Sequence, residues 1–190
     1  MEIEIKKLSE KTLKDFLFFF DELAFCDNPE WSGCYCYFFY IKDNDQWFRR
    51  TKEQNRKDAE KSILAGKMNG YLAYHNNKPV GWCNADDFNS YSRLINNPDI
   101  IRIPNEKAGA VTCFLIEKNY RRKGIAGTLL QYLTNDFIKR NYDFIEAYPL
   151  KEGKTEADYY HGPLSLYLTY GFEIFQELED LYIVRKNLQK

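Results

Sequence analysis

The stretch Val111-Thr112-Cys113-Phe114-Leu115-Ile116, followed by Arg121-Arg122-Lys123-Gly124-Ile125-Ala126-Gly127 and then Thr128-Leu129-Leu130, decides how this chain reads. An apolar strand, expected over Ala110 to Glu117, runs through a basic glycine loop into a helix expected from about Ile125 to Arg140. The first turn of a helix leaves backbone N–H groups without partners, and the helix dipole adds partial positive charge there. Such an end suits an anion. Gly124 removes a side chain where a phosphate would approach the backbone, Ala126 and Gly127 keep the first turn slim, and Arg121, Arg122 and Lys123 add positive charge. A solvated basic turn before a surface helix has the same composition, so these residue types alone leave both readings open. The dinucleotide fingerprint fails because its first glycine is missing, and the P-loop fails because no Gly-Lys-Ser/Thr follows.

On the C-terminal side, Tyr142 to Tyr148 reads as a strand, Gly162 to Tyr170 as a short helix ended by Gly171, and Phe172 to Gln176 with Leu181 to Val184 as a hairpin. On the N-terminal side, residues 2–8 alternate as a strand, and Ser9 is placed to cap a helix reaching about Phe25. Residues 51–66 predict a second, more polar helix, and Gly70 to Tyr74 with Lys78 to Ala85 a hairpin around His75-Asn76-Asn77. The aromatic and cysteine-rich stretch from Trp31 to Ile41 is ambiguous. Residues 86–108, with Pro98 and Pro104, read as a polar connector with a helical turn.

Two segments carry a family resemblance. Arg121-x-x-Gly124-x-Ala126 after an apolar strand resembles the acetyl-CoA motif of the GNAT superfamily of N-acetyltransferases, Gln/Arg-x-x-Gly-x-Gly/Ala. Leu166-Tyr167-Leu168-Thr169-Tyr170-Gly171-Phe172 resembles the family's late helix, whose Tyr often sits near the coenzyme sulfur and is followed by Gly-Phe. The order of elements matches over nearly the whole chain. The resemblance implies one domain over residues 1–190 of α/β (α+β) class, with a mixed, mostly antiparallel central sheet, a splayed parallel strand pair and flanking helices. It implies acetyl transfer from acetyl-CoA to a primary amine by direct attack in a ternary complex, without an acyl-enzyme. The strand Phe114, Leu115 and Ile116 and the loop Arg121, Arg122, Lys123, Gly124, Ile125, Ala126, Gly127 and Thr128 are then the coenzyme-binding residues. Tyr167 is the candidate general acid. Relatives of this kind commonly dimerise, which makes a homodimer one expectation. The same residues would also fit a non-catalytic acyl-CoA-binding module, or an acyltransferase using another acyl group or a hydroxyl acceptor.

The family often carries an Asn in the first turn of the late helix. Here the region is Asp158-Tyr159-Tyr160-His161-Gly162-Pro163, where His161 is a candidate base, pocket wall or structural cap. Glu117, Asp86, Asp87 and Glu146 end or follow strands and read as strand-end charges ahead of bases. Cys34-x-Cys36 lacks the second ligand pair that zinc normally needs, so no metal is expected. Cys113 reads as a packed thiol. Trp31, Tyr35, Tyr37, Phe38, Trp47 and Trp82 form either an aromatic wall for an amine or core, and Tyr91 and Arg93 are placed to reach over the cleft.

The bulk numbers bound the partners. With 27 Lys+Arg against 28 Asp+Glu, the net charge of −1 gives no broad attraction to nucleic acid or an anionic membrane. The amine acceptor that the resemblance implies is a small molecule or a peptide, and the balanced charge disfavours only a strongly polyanionic one. No signal peptide is visible, no apolar run is long enough to span a bilayer, and the five cysteines read as reduced thiols, which together predict a cytoplasmic protein.

Overall fold

The computed structural model describes residues 1–101, 105–153 and 155–188, so Pro104 lies outside the described residues. Its centre is a seven-stranded sheet of order β1-β2-β3-β4-β5-β7-β6. The strands are β1 (Glu4–Lys7), β2 (Tyr71–His75), β3 (Lys78–Asp87), β4 (Ala108–Ile116), β5 (Phe144–Ala147), β6 (Glu173–Glu177) and β7 (Tyr182–Asn187). All neighbours are antiparallel except β4 and β5. The mixed, mostly antiparallel sheet expected from the sequence is present.

The β2–β3 hairpin turns at Asn76 and Asn77, with φ of 49° and 61°. Asn tolerates this left-handed conformation, and a turn of that kind matches the strand twist. The helix α5 (Ile125–Lys139) packs Leu129, Leu130, Leu133 and Phe137 on one sheet face, against Tyr71, Ala73, Val80, Val111 and Ile145. The opposite face receives the N-terminal helix. That helix is less regular than its periodicity suggests: a 3₁₀ turn at Glu10–Thr12, α1 (Leu13–Phe18) and a π-helical turn at Phe19–Leu23. The run Phe16-Leu17-Phe18-Phe19-Phe20 accounts for this. Widening one turn lets Phe16, Phe19 and Phe20 all bury near Trp82 while Phe18 points outward.

The ambiguous stretch becomes 3₁₀ turns at Pro29–Trp31 and Phe38–Tyr40, followed by α2 (Asn44–Phe48) and α3 (Lys52–Leu64). Tyr35 and Cys36 are left-handed, with φ of 44° and 53°. The conformation is held from outside: Asn84 Nδ2 donates to Cys36 O at 3.2 Å, Asn55 Nδ2 to Gly33 O at 2.8 Å, and Tyr35 Oη to Asp21 Oδ1 at 2.5 Å. The connector after β3 forms α4 (Ser92–Ile95). Tyr91 does not reach over the cleft. It is fully buried and donates to Asn84 Oδ1 at 2.9 Å.

Two features set up the site. The β3–β4 register passes from Asn84↔Cys113 to Ala85↔Val111, leaving Thr112 as an additional residue on β4. Such a bulge bends its strand. Pairing between β4 and β5 stops at Val111↔Ala147, so the rest of β4 leaves β5 behind. Below the split, Glu146 is buried and accepts from Arg185 Nε at 2.6 Å and Tyr148 Oη at 2.8 Å. Arg185 lies over the rings of Phe175 and Phe144 and donates from Nη2 to Ile101 O at 2.9 Å. Glu146 is thus the partner of a buried cation. Removing the cation strands a buried carboxylate, so Arg185→Met is expected to lower the unfolding free energy by about 3–5 kcal/mol in urea denaturation.

Candidate active site

The cleft starts where β4 and β5 separate. His161, in the 3₁₀ segment Glu156–His161, plugs the base of the gap, its Nδ1 lying 2.9 Å from the Thr112 carbonyl oxygen. A carbonyl can only accept, so Nδ1 carries the proton in the neutral ring. Burial pushes the His161 ring down to about 4, and it remains neutral at pH 7.

Beyond Thr112, β4 carries Phe114, Leu115 and Ile116 along a cleft of about 620 Å³. The same wall continues through Tyr120, Arg121, Arg122, Gly124, Ile125, Ala126 and Gly127, and the far side is built from Gly162, Pro163, Leu166 and Tyr170. Of the eleven coenzyme-binding residues expected from sequence, Lys123 and Thr128 do not line this cleft. Lys123 instead holds its ammonium 5.4 Å from the centre of the Tyr120 ring, and Thr128 Oγ1 donates back to Gly124 O at 3.3 Å.

The loop chemistry is specific. Gly124 is the N-cap of α5 with φ of 82°, and no side chain caps the helix. A side chain would be strained at that φ, and the space beside Gly124 is open, with no atom within 4 Å of a built Cβ. The first-turn amides therefore face an uncluttered notch. Arg121 is no loose cation. Its Nη1 and Nη2 donate to the two Asp27 oxygens at 2.5 and 3.0 Å, and Nε donates to Ile116 O at 3.0 Å. The guanidinium holds the Asp27 carboxyl below the usual carboxylate range. Tyr170, which the sequence reading did not single out, overhangs the notch: a Cβ on Gly127 would fall 2.1 Å from its hydroxyl.

Tyr167, in α6 (Leu164–Thr169), is fully buried, its hydroxyl donating to the His161 carbonyl. It does not form part of the cleft surface. Gly162, which lines the cleft, packs against this tyrosine: a Cβ there would lie 3.1 Å from the Tyr167 hydroxyl and 3.3 Å from Phe114. Glu117 caps the turn after β4 by accepting from Asn119 N at 3.2 Å, Asp86 accepts from Asn69 Nδ2 at 2.8 Å, and Asp87 from Asn89 N at 2.9 Å. All three carboxylates serve local structure.

A second cavity of about 530 Å³ meets the first at Phe25, Trp31, Leu115 and Tyr160. Of the expected aromatic wall, Trp31, Phe38 and Trp47 line it, whereas Tyr35 and Trp82 are core and Tyr37 stacks on Tyr40. Arg93 lies flat on Phe38, 3.7 Å from the ring centre, and braces this wall from behind. Phe25, Phe39, Phe48 and Tyr160 complete the aromatic lining, and no periodicity singles them out for that role. Cys34, Cys36 and Cys113 face the same cavity. Among the described residues no cluster of three or more His, Cys, Asp or Glu could hold a metal ion, and no helix is long and apolar enough to cross a membrane.

An uncapped helix start joined to an unpaired strand edge is matched by sequence: the signature described as "Acetyltransferase (GNAT) family" covers residues 22–162. The chain belongs to the GNAT acetyltransferase family. It is accordingly an acetyl-CoA-dependent acyltransferase. No curated protein sequence matches it. Among solved structures, the PaiA N-acetyltransferase from Thermoplasma acidophilum, in complex with coenzyme A, superposes with a TM-score of 0.59 at 17% identity, over 98% of this chain and 99% of that one. An aminoglycoside 6'-acetyltransferase type Ii gives 0.59 at 16% identity, over 100% and 99%. The ribosomal-protein-S18-alanine N-acetyltransferase from Escherichia coli gives 0.55 at 12% identity, over 100% and 96%. At these identities the likeness is one of fold.

His161 gives a pH test. Between an unfolded pKa near 6.5 and the folded value of about 4, the unfolded chain binds the extra proton. The stability tied to the neutral ring is therefore complete above pH 6.5 and falls as pH drops towards 4, by about 3 kcal/mol in all. Denaturation midpoints followed from pH 7 to 4 should show this loss, and His161→Gln should flatten that part of the profile.

Proposed function

We propose that the protein transfers the acetyl group of acetyl-CoA to the primary amine of an acceptor, by direct attack while both substrates are bound. The observation that carries this is that two cavities share the wall formed by Phe25, Trp31, Leu115 and Tyr160. One has the features a thioester carrier requires, and the other lies beside it. The uncapped amides after Gly124 suit a diphosphate, and the edge of β4 freed by the Thr112 bulge suits the amides of a pantetheine arm. The open space beside Gly124 leaves room for such a ligand to approach the backbone.

Within that reading, Phe114, Leu115 and Ile116 orient the thioester. A backbone N–H of this stretch stabilises the negative charge that develops on the carbonyl oxygen. The aromatic cavity holds the acceptor so that its nitrogen, once it has lost a proton to water, meets the carbonyl carbon, and this alignment supplies much of the rate. The C–N bond forms as the C–S bond breaks, and the departing thiolate takes up the proton that the attacking nitrogen sheds. We assign Tyr167, packed behind Gly162, to the departing thiolate. Its hydroxyl, which donates to the His161 carbonyl in the free protein, turns to donate to the thiolate sulfur; burial pushes the phenol well above the ordinary value, so it keeps its own proton. His161 acts as a positioning residue through the Thr112 carbonyl, holding the gap open. We further propose that the chain works as one domain in the cytoplasm; its dimerisation is an open expectation of the family.

Two variants test the reading. Gly124→Glu places a carboxylate at the diphosphate notch, and it should abolish the rise in melting temperature that coenzyme A gives the parent protein by mass action. Retained stabilisation, or calorimetric affinity equal to the parent's, would remove the notch from the mechanism. Tyr167→Phe should lower kcat by about 10²-fold while the KM for acetyl-CoA changes far less. An unchanged kcat would leave Tyr167 as a packing residue only.

A further inference from the structure

The acceptor cavity has a composition that narrows its ligand. Its wall carries aromatic rings on several sides: Trp31 stands edge-on to Tyr160 at 5.5 Å, and Phe38 edge-on to Trp47 at 5.2 Å, with Phe48 at the rim, 78% exposed. Across both cavities Glu30 is the one carboxylate among the described lining residues, and it forms no ion pair with any described residue. Two cations, Arg50 and Lys52, line the acceptor cavity, and Arg50 is held by Asp58 at 2.5 Å and by Asn55 at 2.6 Å.

We propose that the acceptor is a small primary amine with a single positive charge and an aromatic body, an arylalkylamine in chemical terms. This inference rests on the acetyl-transfer reading. A ring fills an aromatic-lined cavity by edge-to-face and stacked contacts, and a single ammonium is attracted to the ring faces and to one carboxylate. A polyamine or aminoglycoside brings further ammonium groups. In this cavity they meet Lys52, and an Arg50 already paired with Asp58, rather than a second carboxylate, so lost hydration and the Lys52 charge select against them. The volume of about 530 Å³ accommodates one or two fused rings with a short alkylamine chain. A peptide acceptor would need strand edges or backbone partners beside the cavity. The edge of β4 that borders the cavity is, in the proposed reading, taken by the thioester arm.

Binding and turnover are read separately. Trp31 and Trp47 line the cavity, so intrinsic fluorescence of the full chain reports an amine entering it. Titration with 2-phenylethylamine should saturate at a concentration about tenfold lower than propylamine, and spermidine should not saturate in that range. Glu30→Gln should weaken 2-phenylethylamine about threefold without altering the coenzyme A thermal shift. With acetyl-CoA present, thiol release should follow the same order of amines. Coenzyme stabilisation intact together with spermidine, or a tetrapeptide with a free N-terminus, binding more tightly than 2-phenylethylamine overturns this inference and leaves the transferase reading standing. Absence of coenzyme stabilisation in the parent protein overturns both.

Discussion

The site depends on a single displaced residue. Thr112 adds one position to β4, and the strand that should continue beside β5 turns away instead. Opening a sheet leaves polar backbone unpaired, which a protein interior does not tolerate without compensation. The His161 ring supplies that compensation at the floor of the split, while higher up the edge is left for a ligand. The buried, neutral imidazole is the cost of keeping the cleft from zipping shut. Its own burial is sustained by contacts with Phe39 and Tyr160, so acceptor wall and cleft floor are parts of one packed unit.

Much of this was readable in the sequence because it follows local rules. Strand β4, the turn at Gly124 and helix α5 each obey a short-range pattern, and together with the Leu166–Phe172 segment they pointed to the family. The turn at Asn76-Asn77 was equally plain. The bulge was not, since nothing about Thr112 in an apolar run distinguishes an additional residue from a paired one. It becomes visible only once β3 fixes the register. The same holds for Arg121, whose charge suggested a phosphate partner until the distant Asp27 claimed it.

The acceptor wall was opaque for a different reason. Between Asp27 and Arg50 the chain follows neither helical nor strand periodicity, because its shape is imposed by contacts from elsewhere. Asn84 and Asn55 reach the backbone at Cys36 and Gly33 from positions 48 and 22 residues away in sequence. Left-handed Tyr35 and Cys36 would be unfavourable in isolation and are maintained by those bonds. Abundant aromatic residues announced an apolar volume somewhere, but their division between core and cavity is a tertiary fact. Trp82 and Trp31 are indistinguishable as letters and opposite in role.

The Arg121–Asp27 clamp joins the loop before α5 to the beginning of the segment that walls the aromatic cavity. Asp27 lines neither cavity, yet it is bonded to the loop that opens α5. On the proposed reading, substitutions that reshape the wall for a new acceptor would be transmitted through this clamp to the grip on the thioester. Divergence of acceptor preference in such a chain would proceed under epistasis, each change at the wall accepted only against a background that keeps the loop in register.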